Sequence, residues 1–594
     1  MIKNIFLTLT LLLSAFAVSA QNPSDWRAKL SPEVRSAFDR NQTADVLVVF
    51  FEQADLSGAR QLHGKNARSR FVFNRLQQTA ERSQANARRM LRQRGARSNS
   101  YYLVNAISIE QADGETLRLL ADLPEVKSIA LDPWVQMPPP FVEDNVVNQR
   151  NTVEWGVEKI NAPAVWAMGY TGQGITVGGA DTGYEWGHPV IQSHYRGWNA
   201  NGPADHNYNW HDAIHDLSPL NGDTTNNPLN NPCGLNSGQP CDDNNHGTHT
   251  MGTMVGDDGA GNQTGVAPGA KWVGCRNMER GWGKPSSYIE CFEWFLAPTD
   301  INGQNPDPSK SPDVINNSWY CADIEGCTDL TINELLHTAV INLKAAGVVV
   351  VVSNGNNGGI CSTTDGPPAY FEESFSVGAT RSNDTIAGFS SRGPVIIDGS
   401  LRNKPNVSAP GVSVRSSVRG GGYANFSGTS MAGPHVVGLV ALMFSANPEL
   451  RGEVELVEDI IEQTSVFLAD TLDCGTNSLG ASRPNHAYGW GRVDALAAVN
   501  VALSVDTGQP LSQSAQVTVS PNPTSDEVTF FLENFEGKTT INLYSVNGQR
   551  LLSTSFVPKK RELYPLSLRQ LPAGIYLYEI SAENGTTSGK IMKQ

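Results

Sequence analysis

The sequence predicts an α/β protein: a helix-covered parallel sheet, preceded by a small α/β unit and followed by a small β-sandwich. Three observations support this. From residue 174 onward, short runs of β-branched residues alternate with amphipathic stretches, as in parallel strands buried on both faces. Residues 21–150 mix strand-like and helix-like patterns, and residues 515–594 alternate short strands with turn residues. A chain of 594 residues is also expected to form three or more domains.

The first twenty residues have the pattern of a secretory signal. Lys3 supplies the positive charge, residues 5–13 are apolar, and the small residues 18–20 fit a cleavage site. A membrane anchor is the alternative, but the apolar segment is short for a span and no stop-transfer pattern follows. No other stretch approaches about 20 uninterrupted apolar residues. We therefore predict an exported protein with no stable membrane span.

The net charge of the chain indicates which class of binding partner to expect. The chain has 44 Lys and Arg against 59 Asp and Glu, a net charge of −15, so we expect no nucleic-acid partner. One basic run is present: eleven basic residues and one acidic residue, Glu81, lie between Arg60 and Arg97. Such a run is usually a solvated helix face. The alternative is electrostatic steering of this unit onto the acidic region that follows.

All eight cysteines lie between Cys233 and Cys474. An even number in an exported chain predicts disulfides, and no paired C-x-x-C spacing indicates zinc. Short loops favour local bridges for two pairs, but eight cysteines allow on the order of a hundred connectivities, so the pairing stays open. The two local pairs are Cys233/Cys241 and Cys321/Cys327, which leaves Cys275/Cys291 and Cys361/Cys474.

The elements are predicted in chain order. In the first unit, strands are expected at 46–51, 101–109 and 126–135, and helices at 61–97 and 114–123. The prolines 138–140 and the polar stretch to residue 150 predict an extended, cleavable linker, with the cut between residues 136 and 151. In the central region, strands are expected at 313–317 and 347–352, with covering helices at 330–346 and 450–464.

Ligands of such a sheet bind at the carboxyl ends of its strands, where Asp181, Ser318 and Asn356 are expected. Ser430 lies among small residues, and Pro434 favours a helix whose first turn contains both. Free N–H groups there favour developing negative charge, although a tightly packed helix start is the alternative for this stretch alone. Three glycine-bearing motifs result: GITVGGADTG at 174–183, NHGTHTMG at 245–252 and FSGTSMAGPH at 426–435.

These motifs contain Asp181, His246 and Ser430 in that chain order. A serine hydroxyl is a weak nucleophile that needs an adjacent base; a histidine can serve, and an aspartate can orient it. The sequence resembles the subtilisin-like serine peptidases over residues 151–503. The long polar stretch between Asp181 and His246, and Asn316-Asn317-Ser318-Trp319, are similar to the bacillopeptidase F-like branch. The resemblance implies a three-layer parallel-sheet domain and an endopeptidase acting through an acyl-enzyme.

The resemblance also implies further site residues. The oxyanion donors would be the Asn356 side chain and the Ser430 N–H, since Asn356 directly follows a glycine, unlike its neighbours Asn354 and Asn357. Two segments would bind the substrate backbone. No cofactor is required for the chemistry; calcium is common in the family, but spacing assigns no ligand loop here. The two segments are Gly281, Trp282 and Gly283, and Ser318, Trp319 and Tyr320.

The flanking regions complete the predicted organisation. After the signal 1–20, residues 21–150 resemble an inhibitory propeptide with its linker, which would bind its own peptidase domain. Beyond a linker at 504–514, residues 515–594 resemble the C-terminal sorting domain recognised by the type IX secretion machinery of certain Gram-negative bacteria. A generic carbohydrate- or protein-binding sandwich is the alternative. We expect a product exported through periplasm and outer membrane, either released or attached to the cell surface.

Competing interpretations remain. Asp181-Thr182-Gly183 is also an aspartic-peptidase signature, but that mechanism needs two carboxylates and no second motif occurs. The region around His246 and His249 lacks the H-E-x-x-H spacing of zinc peptidases, so we expect His249 to be structural. A binding protein that kept the fold without activity is the non-enzymatic alternative. Three loop histidines could ligate a metal, but backbone hydrogen bonds are the favoured reading: His206, His211 and His215.

Overall fold

The structure is a computed structural model that describes residues 26–137, 141–143, 152–222, 225, 227, 229–319, 329–475, 483–505, 516–545, 548–559, 561–583 and 585–593. The predicted signal 1–20, the linker 504–514 apart from its first two residues, Tyr320 and the Cys321/Cys327 pair lie outside the described residues.

The first unit is a four-stranded antiparallel sheet with strand order β2-β3-β1-β4 and covering helices. The predicted helix over 61–97 is two helices, because Gln84 ends the first and its side-chain amide donates to Tyr101 O and to Asn105 Oδ1. The predicted strand over 101–109 is likewise split by a turn. The elements are α1 Pro32–Asp39, β1 Ala44–Phe50, α2 Lys65–Ser83, α3 Ala85–Arg94, β2 Ser98–Tyr101, β3 Ala106–Ala112, α4 Gly114–Ala121 and β4 Val126–Leu131.

Two short strands, β5 Val135–Gln136 and β6 Phe141–Glu143, lead into the central domain, whose sheet is parallel throughout. Its seven strands run in the order β15-β14-β13-β12-β7-β9-β8. The elements are α5 Trp155–Lys159, α6 Ala162–Ala167, β7 Thr176–Asp181, α7 Pro189–Gln192, β8 Trp210–Asp212, α8 His246–Val255, β9 Lys271–Arg276, β10 Met278–Glu279, β11 Trp282–Gly283, α9 Pro285–Leu296, β12 Val314–Asn317, α10 Leu330–Ala345, β13 Val349–Ser353, β14 Phe375–Thr380, β15 Val407–Pro410, β16 Val414–Val418, β17 Gly422–Ser427, α11 Thr429–Ala446, α12 Val454–Thr464 and α13 Ala495–Ser504.

The sheet is buried on both faces, as its β-branched runs predict. Val349 and Val351 of β13 belong to the core cluster that contains α8 and α11. Val350 and Val352, on the opposite face, belong to the cluster that contains α9 and α10. This arrangement makes three layers and confirms the predicted fold class. Among the described residues one helix, α11, has the length and apolar composition of a membrane span, and it is almost wholly buried in this core.

Three of the four cysteine pairs lie in the described part of the chain and form disulfides. Cys275–Cys291 joins β9 to α9, while Cys233–Cys241 closes a short loop and Cys361–Cys474 a long one. Cys233–Cys241 is one of the two local pairs that short loops favoured, and the other two bridges are the pairs that this choice left, although the sequence alone kept the connectivity open.

The basic run between Arg60 and Arg97 is partly exposed and partly in contact with the central domain. Nine of its eleven basic residues are exposed on the first unit. The other two are buried against the central domain: Lys65 Nζ lies 3.4 Å from Asp313 Oδ1, and Arg68 Nη2 lies 3.0 Å from Glu453 Oε1. The run is therefore mainly a solvated face, with two charges that fasten the first unit to its neighbour.

The C-terminal region is a sandwich of a three-stranded sheet, β18-β19-β22, and a four-stranded sheet, β21-β20-β23-β24. Val528, Phe530, Ile541 and Ile580 form part of the core between the sheets. The strands are β18 Gln516–Ser520, β19 Glu527–Glu533, β20 Thr539–Ser545, β21 Arg550–Phe556, β22 Arg561–Ser567, β23 Gly574–Ala582 and β24 Gly585–Lys593.

Candidate active site

Asp181 and His246 form a buried pair at the carboxyl edge of the sheet. Asp181 is the last residue of β7 and His246 the first of α8, and they are 0% and 1% exposed. His246 Nδ1 lies 2.7 Å from Asp181 Oδ1, and Thr250 Oγ1 donates to Asp181 Oδ2 at 3.4 Å. An aspartate bonded to Nδ1 holds that proton on Nδ1, which leaves Nε2 as the basic nitrogen.

The loop before His246 is held by Asp242, a residue that the motif analysis missed. Asp242 Oδ1 accepts Thr182 Oγ1 at 2.9 Å, and its Oδ2 accepts the Thr248 N–H at 3.1 Å. Thr182 Oγ1 in turn accepts the Gly247 N–H at 3.0 Å. One carboxylate thus ties the start of α8 to the residue after Asp181. An Asp a few residues before a helix start is a common capping signal, and it was the only hint in the sequence.

Glycine is required where these two segments meet. A Cβ on Gly247 would lie 2.0 Å from the carbonyl oxygen of Gly183. The motif glycines therefore allow α8 to approach the end of β7 closely enough for the Asp181–His246 hydrogen bond.

Ser430 is the second residue of α11, so it lies at a helix N-terminus as predicted. The prediction that Pro434 also lies in the first turn is wrong, because Pro434 is the sixth helical residue. A proline there has no N–H for the carbonyl four residues earlier, which belongs to Ser430. The Ser318 hydroxyl supplies the missing donor at 2.9 Å, and Ser430 Oγ donates to Ser318 O at 3.1 Å. The two serines are therefore bonded to each other in both directions.

Asn356 is the asparagine that is hydrogen-bonded to the start of α11, next to Ser430. Its Oδ1 accepts the Thr429 N–H at 2.9 Å and Thr429 Oγ1 at 3.0 Å, which leaves Nδ2 to donate beside Ser430. Asn354 instead donates to Ser391 O at 2.7 Å, and Asn357 to Asp365 Oδ1 at 2.8 Å. The geometry is consistent with the choice of Asn356 made from the preceding glycine.

Both predicted substrate-binding segments lie at this edge. β11, which contains Trp282 and Gly283, pairs with β5, and Met137 N–H donates to Gly281 O at 2.8 Å. In the second segment, Trp319 is buried and stacks on Tyr288 with 4.0 Å between ring centroids. The Trp319 side chain therefore packs in the interior, and Ser318 is hydrogen-bonded to the first turn of α11.

A second short strand after the first unit, β6, pairs with β17 in the register Phe141↔Ser427 and Val142↔Phe426. The Phe141 ring stacks on Phe389 with a centroid distance of 5.3 Å. The two short strands that follow the first unit therefore contact β11 and β17 of the central domain.

The loop histidines bond to side chains, so the expectation of backbone partners is wrong. His206 Nδ1 lies 3.0 Å from Tyr195 OH, and His211 and His215 both bond to the Glu290 carboxylate, at 2.8 Å and 3.0 Å. The hydrogen bond to Glu290 raises the pKa of His215 to about 9. Within the described ranges, no group of three or more His, Cys, Asp or Glu is arranged to hold a metal ion.

His249, by contrast, has a structural environment. It is fully buried, its Nε2 donates to Val414 O at 2.9 Å, and its ring stacks on Phe426. Burial lowers its pKa to about 3, so the imidazole is neutral.

Residues 172–491, more than half of the chain, match the profile of the Subtilase family. The chain belongs to the subtilase family. The family prediction and its enzyme class, serine endopeptidase, are thereby confirmed.

The chain is similar to three curated subtilases. It is 33% identical over 569 residues to Bacillopeptidase F of Bacillus subtilis (strain 168), covering 88% of this chain and 37% of that protein. It is 30% identical to Subtilisin E of the same organism, covering 59% and 75%. It is 27% identical to Alkaline elastase YaB of Bacillus sp. (strain YaB), covering 61% and 76%.

The C-terminal sandwich has a match of its own. Residues 518–594 match the Secretion system C-terminal sorting domain. This subtilase is therefore a secreted protein, extracellular or at the cell surface, and the sorting interpretation is confirmed over the generic binding sandwich.

Proposed function

We propose that this subtilase hydrolyses peptide bonds in proteins through Asp181, His246 and Ser430. The buried 2.7 Å hydrogen bond between His246 Nδ1 and Asp181 Oδ1 is the observation that carries the proposal. A buried carboxylate on Nδ1 is what a general base needs to hold its tautomer and to stabilise its charged form.

In the first step, Ser430 Oγ leaves the Ser318 carbonyl, gives its proton to His246 Nε2 and attacks the substrate carbonyl carbon. The C–N bond then breaks, His246 returns the proton to the leaving amine, and an acyl-enzyme remains. Water, deprotonated by His246, hydrolyses the ester and restores Ser430.

The negative oxygen of the tetrahedral intermediate needs donors that are already in place. Asn356 Nδ2 is oriented for this by the two hydrogen bonds that Thr429 makes to Oδ1. The Ser430 N–H is the second donor, because N–H groups in the first turn of a helix have no intrahelical acceptor. Substrate would pair with Gly281–Gly283 and with Ser318–Trp319. Tyr320 is included in this proposal only because of the family resemblance. No step of the proposed mechanism involves calcium.

Residues 21–150 act in this proposal as an inhibitory propeptide of the domain 151–503. Three contacts support the role: the β5–β11 pairing, the β6–β17 pairing, and the ion pair of Lys284 Nζ with Asp45 Oδ2 at 2.9 Å. In this proposal, β5 and β6 would block the positions that a substrate strand needs.

Residues 515–594, after the linker 504–514, would direct the protein to the type IX machinery and across the outer membrane of a Gram-negative bacterium. The sorting-domain match supports this route. Export beyond the outer membrane by a chain lacking 515–594 would contradict it.

The decisive experiment is labelling of the processed protein with a serine-directed fluorophosphonate, together with casein hydrolysis. We expect both in the wild type and neither in Ser430→Ala, with Ser382→Ala, at an exposed serine, as a control that keeps Ser430. A folded, propeptide-free sample that neither labels nor cleaves would favour the binding-protein alternative. Self-processing by purified Ser430→Ala would contradict autocatalytic maturation.

A further inference from the structure

A buried hydroxyl joins the two chain segments that carry Asp181 and His246. Thr182 directly follows Asp181 and is 0% exposed. Its Oγ1 accepts the N–H of Gly247, which directly follows His246, at 3.0 Å. The Thr182 N–H also donates to Asp181 Oδ1 at 2.8 Å, the same oxygen that bonds to His246. Thr182 therefore contacts Asp181 directly and His246 through the next residue along the chain.

Asp242 fixes the direction of the hydrogen bond that this hydroxyl makes to Gly247. A carboxylate only accepts hydrogen bonds, so the Thr182 hydroxyl gives its single proton to Asp242 Oδ1, 2.9 Å away. The oxygen of Thr182 is then left to accept from the Gly247 N–H. The same carboxylate accepts the N–H groups of Asn244, Asn245 and Thr248 and the Thr248 hydroxyl.

These hydrogen bonds take the place of the usual cap at the start of α8. His246 is the first residue of that helix, and the side chain of Asn245, the residue before it, makes no capping hydrogen bond. The N–H groups of a first helical turn have no intrahelical acceptor, so that of Gly247 depends on Thr182 and Asp242. Two side chains thus set the position of the helix start that carries His246.

We propose that Thr182 and Asp242 are positioning residues for the general base His246. Without the Thr182 hydroxyl, the start of α8 moves away from the end of β7, which weakens the hydrogen bond between His246 Nδ1 and Asp181 Oδ1. A displacement of about 1 Å in a catalytic group can cost about 10²-fold in rate. The two residues act through the geometry of this pair and not by contact with the reacting atoms. This inference rests on the proposed function and deepens it by naming what holds its base in place.

The first test compares kcat and KM of processed variants on a chromogenic peptide that the wild type cleaves. Thr182→Val keeps the shape and removes the hydroxyl, and we expect kcat to fall about 10- to 100-fold with KM nearly unchanged. Thr182→Ser restores the hydroxyl and should restore most of kcat. Thr253→Val makes the same change at an equally buried threonine of α8, whose hydroxyl bonds to His249 O, and should leave kcat near the wild-type value.

A second variant, Asp242→Asn, keeps one acceptor oxygen and should show a smaller loss of kcat. The double variant with Thr182→Val should lose less than the product of the two losses, because both weaken the same contact to Gly247. Three results would overturn the inference: a wild-type kcat in Thr182→Val, a Thr182→Ser variant as slow as Thr182→Val, or a double-variant loss equal to the product. A wild type without any peptidase activity would instead overturn the proposed function.

Another measurement needs neither activity nor maturation. In full-length Ser430→Ala, the proton on His246 Nδ1 is followed by NMR as a low-field resonance, which His246→Ala identifies by its loss. We expect Thr182→Val to move this resonance upfield or to broaden it through exchange with water, whereas Thr253→Val leaves it unchanged. Asp242→Asn is measured in the same way if Thr182→Val does not fold. An unchanged resonance in the folded variant would overturn the inference.

Discussion

Glu293 on α9 is a buried carboxyl group that the first unit covers. Its Oε2 accepts the Leu103 N–H at 2.8 Å, and Tyr102 OH lies 3.5 Å from its main-chain oxygen. Burial, with a smaller contribution from the Glu290 charge, raises the pKa of Glu293 from 4.5 to about 8. The group is thus protonated in the folded full-length chain at pH values where an exposed glutamate is charged.

The raised pKa of Glu293 makes the free energy of unfolding depend on pH, because proton binding and folding are linked. The folded full-length chain binds one proton more than the unfolded chain between pH 4.5 and about 8, so its free energy of unfolding falls as pH rises through that window. At about 1.4 kcal/mol for each pKa unit, the whole fall is at most about 5 kcal/mol. Glu293→Gln keeps an oxygen for the Leu103 N–H and has no charge to bury, so its stability should not show this fall.

The measurement uses full-length Ser430→Ala as an inert precursor, with and without Glu293→Gln, unfolded in denaturant from pH 5 to pH 9. The difference between the two stability curves isolates Glu293, because other titrating groups cancel. Among these is His215, whose pKa near 9 adds stability below pH 6.5 that is lost as pH rises through 9. Parallel curves across pH 5–8 would refute the reasoning.

Three further outcomes are expected. Asp181→Asn should lower kcat by about 10⁴, because an asparagine no longer fixes the tautomer of His246. An unchanged KM would show that the loss lies in the chemical step and not in substrate binding. Asn356→Ala should lower kcat by about 10² to 10³, because one oxyanion donor is lost. The control Asn357→Ala, at an exposed neighbouring residue, should leave kcat near the wild-type value. Equal losses of kcat in the two variants would contradict the assignment of Asn356 as an oxyanion donor. Ser318→Ala should destabilise the protein by about 1–3 kcal/mol in denaturant unfolding, since the Ser430 carbonyl loses its donor, and an unchanged midpoint would contradict that hydrogen bond.

The candidate site residues could be chosen from the sequence because each belongs to a local pattern. β7 ends at Asp181, and the glycine after His246 marks a close approach that the fold then uses. The preceding glycine alone favoured Asn356 over Asn354, and its role in the chemistry stays a prediction. Such signals are short and lie within one motif, so one sequence is enough to read them.

The features that sequence reasoning missed depend on contacts between distant segments. His211 and His215 find Glu290 more than seventy residues away, and Gln84 breaks a helix by bonding to a turn beyond the next helix. The position of Pro434 was misjudged because its cost is offset by Ser318, over a hundred residues upstream. Periodicity and capping rules describe neighbours along the chain and cannot supply these partners.

The two hydrogen bonds between Ser318 and Ser430 couple the position of Ser430 to the segment that contains Trp319. Trp319, next to Ser318, packs on Tyr288. We therefore expect a substitution that changes the packing of Trp319 to shift Ser430 as well. Variants selected for new specificity at Trp319 should also carry compensating changes in the first turns of α11, whereas variants changed in β11 should not need them.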